Sequence, residues 1–370
     1  MSTLVFLFLC IIKQNPMIAE MNIPIQKIKQ SKLKDVELNG VPFGKYFSDH
    51  MLEADYEDGE WKNVIIKPYQ PLLLEPSVAA LHYGQAIFEG IKAYKNDKGE
   101  AFIFRPLENF QRFNISAERM QMPPVPQDIF IEGMRKLIEL EKQWIPTTSD
   151  HSLYIRPFMF STDSVIGVRP SETYKFLIIL SPSGPYYSAP IRIYVEEKYT
   201  RAAPGGAGFS KNAGNYGASM YPTALAKKAG YDQVLWTDAF EHKYVQEVGT
   251  MNIFFIIDKK AITPALDAGT ILDGVTRSSA ITLLKEMGYT IEERVISIDE
   301  IIDAYKNKTL KEVFGTGTAA TITMIKELRY KDFVMQFDIN SWEVCVEVKQ
   351  KLMDIREGKV VDRYGWLMSV

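Results

Sequence analysis

The sequence predicts a mixed α+β protein built from two units that join near residues 182–190. Three observations carry this expectation. The chain has 370 residues, beyond the length at which a single core usually stops growing. Its 46% hydrophobic and 24% charged content is that of an ordinary globular protein. Segments of strand and helix character are interleaved on both sides of SPSGPYYSAP (181–190), whose prolines mark a connector.

Leu4 to Ile12 (LVFLFLCII) is apolar but too short to cross a bilayer. No Lys or Arg precedes it and no small-x-small cleavage pattern follows, so residues 1–20 read as an extension from an upstream start, with Met17 or Met21 opening the functional protein. Residues 37–51 are turn-rich, with Asn-Gly and Phe-Gly punctuation, and 72–94 are mixed. FEGIKAYKNDKGEAFIFRP (88–106) reads as a hairpin turning at Asn96–Gly99. Helices are predicted over 107–119 and 128–143, where apolar residues recur on one face, and strands over 151–160 and 173–181. Beyond the connector, 191–197, 232–238 and 252–258 read as strands and 278–287 as a helix. Ser297 to Glu300 is a capping box opening a helix to Lys306, and a final helix capped near Asn340-Ser341 runs to Arg356. The expected units are a smaller N-terminal α/β unit over 21–181 and a larger C-terminal one over 191–370.

Bulk chemistry excludes several functions. A formal net charge of -3 leaves no basic footprint for nucleic acid or an anionic membrane, and no segment after residue 20 reads as a membrane span. Two cysteines, Cys10 and Cys345, supply neither a disulfide framework nor a thiolate metal site. The four histidines show no ligand spacing, so no metal is expected and a reducing, cytoplasmic setting is.

The chemistry concentrates in a few glycine-rich stretches. GGAGFSKNAGNYG (205–217) sets Lys211 and Tyr216 among five glycines. A triphosphate-binding loop would need Gly before the lysine and Ser or Thr after it; Ser210 and Asn212 stand there instead. A nucleophilic lysine that holds a carbonyl as a Schiff base, as with pyridoxal phosphate, fits the stretch, and so does a solvated loop lysine. VQEVGTMNIFFI (245–256) places Glu247 before an apolar strand, where a carboxylate could keep a pyridine nitrogen protonated. ILDGVTRSSA (271–280) leads into a helix whose first amides suit a phosphate dianion. EVFGTGTAATIT (312–323) frees the amides of Thr318 and Ala319 to face an anion. Arg105 of FIFRP (102–106) could clamp a phosphate. Singly, each stretch is equally compatible with a plain turn, cap or surface residue.

In this order, the stretches resemble the motif series of the branched-chain amino acid aminotransferases, fold-type IV pyridoxal phosphate enzymes. VPFGKYFSDHM (41–51), LHYGQAIFEGIKAY (81–94), FRPLENFQRF (104–113), LYIRP (153–157) and SVIGV (164–168) extend the resemblance from Met21 to the C-terminus. It implies the two-unit D-amino acid aminotransferase-like fold, with pyridoxal 5'-phosphate in the cleft between units. It implies that Lys211 binds the cofactor covalently and serves as the catalytic base, a role Arg could not fill because it stays protonated. It matches Tyr216 to the cofactor's phenolic oxygen and Glu247 to its pyridine nitrogen. Arg105, Val275, Thr276 and Thr318 match the phosphate cup, and Thr250 and Ala319 lie near the substrate α-carboxylate. Phe43, Tyr83, Phe88, Tyr154 and Tyr186 match aromatic positions of a side-chain pocket. Arg156 matches a γ-carboxylate partner, and Val168 a residue reaching the neighbouring subunit's site, which implies a homodimer. The implied reaction is ping-pong transamination between branched-chain L-amino acids and 2-oxoglutarate, giving branched-chain 2-oxo acids and L-glutamate.

The sequence departs from mammalian members twice. Ala320 and Thr323 stand where those carry a redox-sensitive Cys pair, which rules out thiol regulation there, and the segment before Ile191 is shorter. The alternatives are a D-amino acid aminotransferase or aminodeoxychorismate lyase, shorter chains without the 21–69 segment, and a non-catalytic phosphate-binding module.

Overall fold

The computed structural model describes residues 21–370, so the apolar run at 4–12 and the extension over 1–20 lie outside the described residues. Among these residues the strands form two sheets of eight and nine members. The first sheet takes β1 (His50–Glu57), β2 (Glu60–Pro68), β3 (Ala86–Phe88), β4 (Ile91–Lys95), β5 (Ala101–Phe104), β6 (Ser152–Ser161) and β7 (Tyr174–Ser183). The second takes β8 (Ile191–Val195), β9 (Gln233–Thr237), β10 (Val245–Val248), β11 (Asn252–Ile257), β12 (Lys260–Thr263), β13 (Thr290–Glu293), β14 (Leu310–Gly317), β15 (Thr321–Tyr330) and β16 (Phe333–Gln336). The last strand, β17 (Leu367–Ser369), returns to the first sheet and pairs antiparallel with β5.

The first sheet has the order β17-β5-β4-β6-β7-β1-β2, with β3 beside β6, and every pair is antiparallel. Local chemistry explains its hairpins. Asp58 and Gly59 both have positive φ (56° and 82°) and join β1 to β2 in a two-residue loop whose twist matches the strands. The predicted 88–106 hairpin is β4 and β5, closed by Asn96, whose Oδ1 accepts from the amides of Lys98 and Glu100. Two helices, α1 (Ala79–Tyr83) and α2 (Pro106–Arg119), follow β2 and β5, and α3 (Gly133–Leu140) precedes β6. The predicted 128–143 helix is broken into a π-turn over Asp128–Glu132, α3, and a 3-10 turn over Lys142–Trp144. Together α2, the π-turn and α3 cover one face of the sheet, burying Phe113 and Phe130 against Leu52, Ala93 and Phe176.

The second sheet runs β10-β9-β8-β15-β14-β11-β12-β13, with β16 beside β15, and mixes parallel pairs (β8 with β9 and β15, β12 with β13) into an antiparallel frame. Four helices belong to this half: α4 (Ala213–Lys228), α5 (Val275–Glu286), α6 (Ile298–Lys306) and α7 (Val344–Arg356). The predicted 278–287 helix therefore starts three residues earlier, at Val275. Half of the predicted capping box forms: Ser297 Oγ accepts from the Glu300 amide, while the Glu300 carboxylate turns to Arg294. Asn340-Ser341 does not cap α7 and sits in a short 3-10 turn. The cap is Glu312 of β14, whose buried carboxylate accepts from the amides of Glu343, Val344 and Cys345 at 2.7–2.8 Å.

Helices α5 and α7 lie where the halves meet. Their Leu283, Leu284, Val348 and Leu352 pack with Phe254 and Phe314 of the second sheet and with Tyr94 and Phe104 of the first. A cut at 182–190 thus leaves β17 on the wrong side, and β7 itself extends to Ser183. Among the described residues no helix is long and apolar enough to cross a membrane.

Candidate active site

A cavity of about 300 Å³ opens between the halves. Lys211 enters it from the glycine-rich loop before α4. The loop hugs its neighbours: a Cβ on Gly208 would lie 2.6 Å from the Thr270 carbonyl oxygen, so only glycine permits that approach. The backbone of Lys211 is tied to the first half, accepting from the Phe88 amide (3.0 Å) and donating to Ser116 Oγ (2.8 Å). Next in sequence, Asn212 caps α4 by accepting from the Asn215 amide. This start fixes Tyr216 on the first turn, and Lys211 Nζ donates to its phenol oxygen at 2.7 Å while lying 4.8 Å from the Phe88 ring centre.

Glu247 on β10 closes another wall. It is 4% exposed, accepts from the Leu272 amide (3.0 Å) and Asn252 Nδ2 (3.3 Å), and pairs with Arg201 at 2.5 Å. Burial pushes its carboxyl above the ordinary range although Arg201 opposes the shift. A ring nitrogen offered to this carboxylate would gain a charge-assisted hydrogen bond.

A third wall is built for an anion. Gly274 caps α5 without any side-chain acceptor, leaving the first turn, Val275 and Thr276, on the cavity. A Cβ on Gly274 would fall 2.0 Å from Asn252 Oδ1. The β14–β15 turn adds Gly317, Thr318, Ala319 and Ala320, and Thr316 Oγ there is buried without a partner. Arg112 completes this wall from α2. Its guanidinium grips Glu89 bidentately (2.7 and 2.8 Å) and donates to the Asp273 carbonyl at 2.6 Å. Burial alone would raise the Glu89 carboxyl, but Arg112 foremost, with Lys211 and Asn109, holds it below the usual range.

The remaining wall is aromatic. Phe43 meets Tyr154 and Tyr186 edge-on, at centroid distances of 4.7 and 5.2 Å. Arg156 lies 4.6 Å from the Phe88 ring centre and donates to the Tyr154 phenol at 3.0 Å. The box is therefore apolar with one cation in its side.

Of the residues singled out in the sequence, Lys211, Tyr216, Glu247, Val275, Thr276, Thr318, Ala319, Thr250, Phe43, Phe88, Tyr154, Arg156 and Tyr186 line this cavity. Three others do not. Arg105 begins α2 with left-handed φ (48°) and spends its guanidinium on Glu108 and the hydroxyls of Ser278 and Ser279, behind the cavity wall. The arginine on the wall is Arg112, further along the same FRPLENFQRF stretch. Tyr83 ends α1 at 40% exposure, and Val168 stands on a surface loop at 90%. Sequence reasoning missed Arg112, Glu89 and Asn252. For Arg112 a signal existed: Asn109, Arg112 and Ser116 interrupt the buried face of α2, and polar residues on a buried face ask for a partner.

The residues present fit pyridoxal 5'-phosphate. A primary amine faces a phenol, a buried carboxylate lies on another wall, and an uncapped helix start with a glycine turn offers anion donors that lack a protein partner.

The family profile of the class IV amino-transferases matches residues 86–328. The chain is 49% identical to the probable branched-chain-amino-acid aminotransferase of Staphylococcus epidermidis over 352 residues, 92% of this chain and 97% of that one. It is 48% identical to branched-chain-amino-acid transaminase 1 of Bacillus subtilis over 334 residues, 89% of this chain and 94% of that one. Its structure superposes on that of the Escherichia coli branched-chain amino acid aminotransferase at a TM-score of 0.70 and 29% identity, covering 86% and 98% of the two chains.

Proposed function

The chain belongs to the class IV aminotransferases, and from that premise we propose that it moves amino groups between branched-chain L-amino acids and 2-oxoglutarate with pyridoxal 5'-phosphate as cofactor. One observation carries the reading above others: the Lys211 amine, the Glu247 carboxylate and the uncapped α5 start converge on one cavity with an aromatic box beside them.

Lys211 would hold the cofactor, with Tyr216 beside its phenolic oxygen, Glu247 at its pyridine nitrogen, and Arg112, Val275, Thr276 and Thr318 around its phosphate. Once bound, the cofactor supplies an electron sink that acidifies the substrate Cα–H. The Lys211 amine would take that proton and hold it in the cavity beside the Tyr216 phenol. Tyr216 orients the amine through its phenol. Glu247, backed by Arg201 and the Leu272 amide, stays in place because three groups hold it. Thr250 and the Thr318-Ala319 turn would receive the α-carboxylate.

Phe43, Phe88, Tyr154 and Tyr186 form the box for a Leu, Ile or Val side chain. Arg156, stacked on Phe88, offers its charge to the γ-carboxylate of glutamate in the same box. We also propose the division into units at the 182–190 connector, a homodimer in which exposed Val168 reaches the partner's site, and the cytoplasmic setting suggested by a chain with two cysteines. A steady-state panel of amino donors with 2-oxoglutarate as acceptor tests the function. Leu, Ile and Val should lead the panel; D-alanine leading it, or no donor reacting, would contradict the proposal.

A further inference from the structure

Behind the anion wall sit two buried cations, Lys92 and Arg356. Lys92 on β4 is 5% exposed and Arg356 at the end of α7 is 2% exposed. Neither joins an ion pair among the described residues. Arg112 on the wall is paired with Glu89, and Arg105 behind it with Glu108. The nearest carboxylates are also engaged: Asp150 pairs with Lys349 at 2.8 Å, and Glu357 pairs with Lys359.

What the two cations touch is the wall itself. Lys92 Nζ donates to the Ala319 carbonyl at 3.1 Å, and Arg356 donates to Thr276 and Thr321 hydroxyls at 3.2 and 3.3 Å. A small void lined by Lys92 and Arg356 adjoins the main cavity, sharing Gly90, Val275, Thr276 and Thr318 with it. Because a planar trans peptide fixes C=O and N–H in opposite directions, the Lys92 bond decides which way the 319–320 peptide faces. Arg356 holds Thr276 and Thr321, at the helix start and the strand entrance flanking the anion position, and its Nε has no partner among the described residues. Two uncompensated buried charges are expensive in isolation, and an anion on the far side of the wall would offset them.

We propose that Lys92 and Arg356 are positioning residues that form a cationic base for the anion wall, and that a dianion entering the cavity draws a proton from solvent onto Lys92 Nζ. This rests on the reading of that wall as the phosphate and carboxylate cradle. The groups facing Lys92 are Arg356 and Lys349 from α7, Asp150 from the loop before β6, and Tyr94 on its own strand, with Arg105 and Glu357 beyond them. Burial, then the like charge of Arg356, pushes the Lys92 amine down to about 7, with Asp150 opposing. Near neutral pH the amine of the empty wall is therefore partly uncharged, and a dianion restores its charge.

The test is calorimetry of sulfate, a dianion that does not titrate near neutrality, binding to the full chain stripped of cofactor, in buffers of different ionisation heat. At pH about 8 the native chain should take up a proton, approaching ~1 per sulfate. Lys92→Met should take up none and bind sulfate roughly 10- to 100-fold more weakly. Lys92→Arg keeps a charge that cannot titrate, so it should bind sulfate within a few fold of the native chain without proton uptake, which guards against a Met variant that misfolds. Arg356→Gln should reduce the uptake, since Lys92 then keeps more of its charge in the empty protein. Equal proton uptake in the native, Met and Arg chains would overturn the inference and leave the cradle reading standing. Absence of sulfate binding by the native chain would overturn the cradle reading and this inference with it.

Discussion

The Nζ of Lys211 lies 2.7 Å from the phenol oxygen of Tyr216, and both are set by one helix start, the Asn212 cap of α4. The amine is thus aimed into the cavity before any substrate arrives, and its backbone is bolted to β3 and α2 in the other half. A change that shifts one half against the other would move this nitrogen first.

Replacing Lys211 by Ala removes the proton carrier while leaving the anion wall intact. Turnover should fall by about 1,000-fold or more, the combined scale of a lost general base and a lost covalent anchor. Sulfate affinity should remain near that of the native chain. Single-turnover assays and sulfate titration read the two effects separately.

Tyr216→Phe deletes the phenol but keeps the ring that lies 4.7 Å from Phe88. Loss of a hydrogen bond to a charged group is worth about 1.5–3 kcal/mol, so turnover should drop roughly 10- to 100-fold. Native turnover in this variant would mean that Tyr216 serves packing alone.

Glu89 and Arg112 are a fully buried, bidentate pair. Breaking such a pair from one side costs about 3–5 kcal/mol, whereas removing both partners costs far less. Glu89→Gln should therefore lower the unfolding free energy measured in guanidinium chloride by about that amount. The double variant Glu89→Gln with Arg112→Met should recover much of the loss. Cofactor affinity divides the two arginines of α2: Arg112→Ala should weaken it directly, and Arg105→Ala less, through Ser278 and Ser279.

Much of the site was legible in the sequence because its chemistry requires particular side chains at short, fixed separations. Lys211 and Tyr216 are five residues apart, and the GTGTAA turn carries its own amides. Where Arg105 and Arg112 point was not legible, because a guanidinium's partners come from other elements: Glu108 and two serines of α5 meet Arg105, while Glu89 and the Asp273 carbonyl meet Arg112. The β1–β2 hairpin carries a legible Asp58-Gly59 turn signal between two strands. Glu312 capping α7 from β14, and β17 returning to β5, were invisible for a different reason: both join residues far apart in the chain, and no local pattern encodes such a meeting.

The buried Lys92 amine gives the stability of the empty protein a definite pH dependence. Its folded value, about 7, lies below the unfolded 10.5, so the native state sheds this proton first. The charged amine's burial cost is fully present below about pH 7 and fades as pH rises toward 10.5. Lys92→Met should therefore melt higher than the native chain at pH about 6, with the difference shrinking by pH about 10. Thermal melts of both chains at several pH values check this, and a difference that grows with pH would contradict it.

One nitrogen matters most to the chemistry of this cavity. Borohydride reduction of the holoprotein followed by peptide mass spectrometry tests it directly: a phosphopyridoxyl label on Lys211, and on no other lysine, is the predicted result. A label on another lysine, or a protein that takes none, would contradict the reading of this cavity as the catalytic centre.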